Sequence, residues 1–145
     1  MTPTATRPWH LSLLGLLGLG WYLLLAVDYV AIRYSAVGEM LQVPDGWGAA
    51  FAGMPLWASV ATALAVWLGL LGAILLTIRD RGSVLTLAFA FLASIAVAVW
   101  FVLFSPAGPR QIGEIDAMVL LAVQTLVPAV LWIYARSLKQ RGYMG

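Results

Sequence analysis

The chain has 145 residues, of which 63% are hydrophobic and only 10% charged, with a formal net charge of +2 and a mean hydropathy of +0.96. A soluble domain carries about 25% charged residues, so eight basic and six acidic side chains leave most of this surface facing something other than water. Cysteine is absent and His10 is the single histidine. Disulfides, thiolate catalysis, iron–sulfur ligation and a histidine-rich metal site within one chain are therefore excluded, and no cofactor is expected.

Four apolar stretches follow one another, at about residues 11–32, 56–78, 84–104 and 117–134. Each has roughly the ~20 residues that a helix needs to cross a ~30 Å hydrocarbon core. The runs are continuous rather than alternating, which favours helices over barrel strands, the two structures that pair every backbone polar group in lipid. The expected fold is an all-α polytopic membrane protein: one domain, an antiparallel bundle of four transmembrane helices.

The first stretch follows Arg7 in the manner of a signal peptide, but Leu11 to Val27 already exceeds the ~7–15 apolar residues of such segments. A retained helix is expected. It contains one charge, Asp28, about 25 Å above Leu11 at a rise of ~1.5 Å per residue. That depth is near the outer boundary, where a carboxylate costs less than the ~2.5–3.5 kcal/mol of the bilayer centre. Asp28 reads either as an acid that binds a proton, cation or substrate, or as a structural acid paired with Arg33, Arg110 or a neighbouring helix. Tyr29 and Tyr34 mark the outer end of this helix and Trp9 the inner end. Trp21 and Tyr22 lie away from both interfaces, as does Trp67 in the second stretch, and core or lipid-facing packing is expected for them.

The outer segment 33–54 admits a short interfacial helix capped by Asp45, with Trp47, Phe51 and Met54 on one face, or an irregular loop anchored by Trp47. Pro55 fits the first turn of the second helix, where its missing N–H is no loss. That helix carries Ala61, Ala65, Gly69 and Ala73 four apart, a small-residue stripe that lets another backbone approach closely, either inside the bundle or at a contact with another copy. Gly72 widens the stripe. Gly15 and Gly18 in the first helix, and Ala90, Ser94 and Ala98 in the third, are further small positions.

Arg79 to Ser83 forms a tight turn, making the second and third helices antiparallel neighbours. The third ends near Trp100, read as an interfacial indole, and the segment from Ser105 to Asp116 reads as a loop rich in proline and glycine. In the fourth helix Pro128 removes the hydrogen bond that the Gln124 carbonyl would accept and should kink the helix. Gln124, Thr125 and that free carbonyl, at the depth of Asp28, form either a small outward-facing site with the first helix or ordinary interhelical hydrogen bonds. Trp132 and Tyr134 close the helix, and Arg136, Lys139 and Arg141 form a basic tail.

Lysine and arginine placement sets orientation. Arg7, Arg79, Arg81, Arg136, Lys139 and Arg141 lie on one side, and Arg33 and Arg110 on the other. Both termini are expected in the cytoplasm of a bacterial inner membrane. The basic tail would also attract anionic lipid at ~1 kcal/mol per residue, and three charges beside a membrane give no support to nucleic-acid binding. No His-Glu-x-x-His, phosphate-binding loop or Ser/His/Asp set is present, and Gly15-x-x-Gly18-x-Gly20 has no strand before it, so no enzyme is expected.

The chain resembles a group of small, largely uncharacterised bacterial four-helix membrane proteins often labelled "sugar transporter". The likeness rests on Trp21 and Asp28-Tyr29, Pro55-Leu56-Trp57, Gly69-Leu70-Leu71-Gly72 before Arg79, and Trp132-Ile133-Tyr134-Ala135-Arg136-Ser137 before Arg141-Gly142-Tyr143. It covers most of the chain through short motifs, and departs where members often have Trp-Asn and this chain has Trp21-Tyr22. The resemblance implies a four-helix inner-membrane bundle and a transport role. Two functions are therefore expected to compete. One is permeation of a small solute or ion by an oligomer, drawn as a dimer along the second-helix stripe with Asp28, Tyr29 and Gln124 near an outer vestibule. The other is a non-catalytic accessory subunit of a larger membrane complex.

Overall fold

The computed structural model describes residues 9–34, 54–104, 111–112 and 115–144. Four helices dominate: α1 (Trp9–Arg33), α2 (Leu56–Thr77), α3 (Gly82–Phe104) and α4 (Ala117–Gln140). All four are long and apolar enough to cross a membrane, with mean hydropathies from 1.8 to 2.6. The molecule is an all-α four-helix bundle and, by the length and composition of those helices, an integral membrane protein. Before α4, Gln111–Ile112 (β1) pairs antiparallel with Ile115–Asp116 (β2), with Ile112 opposite Ile115. The sequence reads this stretch as loop; β-branched residues at two paired positions support a minimal ladder there. The expected surface helix around Asp45, Trp47 and Phe51, and the positions of Arg7 and Arg110, lie outside the described residues.

Chain order is also spatial order. α1 packs chiefly on α2, α2 on α3, and α3 on α4, while α1 and α4 meet only sparsely. Gly15 of α1 lies against Thr77 near the end of α2, and Tyr22 against Gly69 earlier in α2, which sets the two helices antiparallel. One core cluster sits toward the end that carries Trp9 and Gln140 and joins Leu11, Tyr22, Ala73, Leu76, Leu87, Leu131, Ala135 and Leu138. A smaller one near the opposite end joins Ala58, Trp100 and Phe101, with Met54 and Leu121 packed against it.

The helix ends explain where the helices stop. α2 closes with Arg79 in the left-handed region (φ 67°). The Arg79 N–H donates to the Leu76 carbonyl (3.1 Å) and the Asp80 N–H to the Leu75 carbonyl (2.8 Å), the paired bonds of a Schellman motif. Asp80 then starts α3, its Oδ1 accepting from the Gly82 N–H at 2.6 Å. α4 ends in the same motif, with Gly142 (φ 74°) donating to Lys139 and Tyr143 to Leu138. α4 therefore runs six residues beyond Tyr134, and Arg136 and Lys139 belong to a helix rather than a tail. Pro55 lies one position earlier than expected: it is the residue before α2, extended (ψ 159°), with its carbonyl accepting from the Ser59 N–H at 3.0 Å.

Candidate functional site

Asp28 lies five residues before the end of α1, about 7.5 Å from that end at the ~1.5 Å rise of a helix. Its side chain is exposed, on a flank of α1 between the half-buried Trp21 and the buried Ala31. Among the described residues it has no hydrogen bond and no ion pair, so the proposed pairing with Arg33 is not made; Arg110 is outside those residues. Next to it Tyr29 is half-buried and meets the ring of Trp67 of α2 edge to face, with centroids 6.2 Å apart. Seven residues before Asp28, and so on nearly the same face, Trp21 is half-buried, and its indole N–H lacks a partner among the described residues.

Gln124 is half-buried in α4, which passes as one continuous helix through the buried Pro128. No hydrogen bond joins Gln124 to Asp28 among the described residues. The approach of α1 to α4 runs instead through Gly18 against Leu131, and through His10 Nδ1 and the Tyr134 hydroxyl, hydrogen-bonded at 2.6 Å. Thr125 does not reach another helix: its hydroxyl donates to the Leu121 carbonyl of its own helix at 2.9 Å. Thr62, Thr77, Thr86 and Ser94 do the same four residues back. A hydroxyl with that local acceptor always within reach needs no interhelical one.

The α2 stripe is covered from within. Ala61, Ala65, Gly69 and Ala73 are all buried, and the ring of Tyr22 lies directly on Gly69, where no Cβ would fit. Gly72 turns toward α3, with Leu87 and Thr86 against it. Within the bundle as folded, the stripe serves packing between helices of the same chain. Trp100 also departs from expectation. It is 2% exposed and packs with Ala58 and Phe101, so it fills the core at that end of the bundle rather than anchoring at the interface.

Two features escaped the sequence. The His10–Tyr134 bond joins residues 124 positions apart and has no local signal. The second is a groove between α3 and α4, about 510 Å³, lined by Val84, Trp132, Arg136, Lys139 and Gln140. It depends on α4 continuing past Tyr134, and a reading that ends the helix there cannot find it. Compared with known proteins, the chain matches no protein family, no curated protein and no solved structure.

Proposed function

We propose that this membrane protein is a non-catalytic subunit of a larger assembly, and that the Asp28 flank of α1 is the face that meets a partner. One observation carries the reading: an exposed carboxylate on a flank of an apolar helix has no partner among the described residues. Such a group is costly in lipid and is ordinarily matched by a cation or a hydrogen-bond donor from another helix. The interior supports the same conclusion. Among the described residues its core is packed by Leu11, Tyr22, Leu76, Leu87 and Leu131, all apolar but for the Tyr22 hydroxyl. In this proposal both termini face the cytoplasm of a bacterial inner membrane, as the distribution of basic residues favours.

A second reading rests on the unsatisfied indole N–H of Trp21 below Asp28. Small-solute or ion permeation would then run between copies in an oligomer, with Asp28, Tyr29 and Gln124 at the outer mouth. The resemblance to proteins labelled as sugar transporters belongs with this reading. The test is gentle extraction from the native membrane followed by native mass spectrometry. A stoichiometric complex with other chains that falls apart on Asp28→Asn is the expected result. A pure homomer whose reconstituted flux is lost in Asp28→Asn selects the second reading. A monomer, indifferent to the substitution, overturns both.

A further inference from the structure

We infer that the groove between α3 and α4 is a binding site for the head group of an anionic phospholipid. The groove lies at the end of the bundle where α4 finishes and α3 begins. Its floor is apolar, with Val84 on α3 and the Trp132 ring on α4. Trp132 is held in place by stacking on Phe91, with centroids 6.2 Å apart and planes 18° from parallel. Its rim is polar: Arg136 and Lys139 stand one helical turn apart, with Gln140 beside them. Both cations are exposed, and neither has an ion pair or hydrogen bond among the described residues.

That combination is specific in its chemistry. A free cation in water needs no partner, but two cations above an apolar floor at the end of a membrane helix are placed for a ligand that is anionic at one end and apolar at the other. The basic rim meets the phosphate, the Gln140 amide supplies a neutral donor, and the acyl chains run down along Val84 and Trp132. The first turn of α3, beginning at Gly82, adds the positive end of a helix dipole beside the groove. A soluble anion would be served by the rim alone and gains nothing from the stacked indole.

The experiment is native mass spectrometry of the full chain from detergent, titrated separately with phosphatidylglycerol, phosphatidylcholine and inorganic phosphate. One variant is Arg136→Gln with Lys139→Gln. The control is Arg79→Gln with Arg141→Gln, which removes the same charge at the same end but outside the groove. Each lost cation should weaken binding about fivefold, so the groove variant should hold phosphatidylglycerol about 25-fold less tightly while the control stays within about twofold of the parent. Phosphatidylcholine should bind weakly to all three proteins. Equal losses in the groove variant and the control would reduce the effect to diffuse attraction and overturn the site. Displacement of phosphatidylglycerol by millimolar phosphate would also overturn it, by making the occupant a free anion. Circular dichroism melts of both variants, expected to match the parent because all four side chains are solvent-facing or at helix ends, separate loss of binding from loss of fold.

Discussion

At Gly69 a single hydrogen atom in place of a side chain decides how closely α1 can approach α2. The Tyr22 ring occupies the space that a Cβ would need, so Gly69→Ala forces the ring aside. Overpacking of this kind costs about 1–3 kcal/mol, read as a lower midpoint in SDS unfolding of the detergent-solubilised protein. Tyr22→Leu in the same chain removes the obstructing ring atoms and should recover a large part of the loss. If the two substitutions instead add, the contact is not what requires glycine there. A second pair of residues tests the backbone. Arg79 and Gly142 hold the same left-handed position at the ends of α2 and α4, but only one is glycine. The left-handed conformation costs an L-residue about 1–2 kcal/mol, and glycine gives back roughly half through its freer unfolded chain. Arg79→Gly should therefore stabilise by up to about 1 kcal/mol, and Gly142→Ala should destabilise by about the same amount.

Among the elements, α2 is the most legible from sequence and α4 the least. Four small residues at a spacing of four mark the buried face of α2 because backbone approach in lipid depends on side-chain size, and size is written in the sequence. Trp100 shows where that logic fails. α3 is apolar all round, so no polar face fixes its rotation, and an indole near its end reads the same whether it meets lipid or the core. Trp100→Ala should open a cavity among Ala58 and Phe101. The cost should fall toward the lower end of the ~3–5 kcal/mol seen in water-soluble cores, because lipid rather than water surrounds the bundle. An interfacial tryptophan would lose far less, and the same SDS titration distinguishes the two. In α4 the charges after Tyr134 resemble a tail, but Ala135 to Gln140 contains only good or tolerable helix formers, and the true stop is Gly142. Misplacing that end by six residues concealed the basic groove. A shared site for Asp28 and Gln124 is not legible for a different reason: sequence gives the depth of a residue along its helix, but not which helices touch at that depth.

For the molecule as a whole, the fold class was legible because four apolar runs of the right length, with Asp28 as their one charge, admit few alternatives. Orientation is a separate question, and the chain is well suited to it: without a native cysteine, every introduced thiol reports alone. In inside-out membrane vesicles, Thr4→Cys and Arg141→Cys should both react with a membrane-impermeant maleimide, while Tyr34→Cys should stay protected until the bilayer is dissolved. Labelling of only one terminus would contradict an even number of crossings. The sparse seam between α1 and α4 has a mechanical consequence. α2 and α3 share the most extensive interface and a turn of four residues, whereas α1 is held on one side by α2 and on the other by little more than Gly18 and the His10–Tyr134 bond. Pulled from its amino-terminal end by a cantilever, the chain should surrender α1 first and at low force, and the α2–α3 hairpin afterwards as one unit that yields in a single rupture.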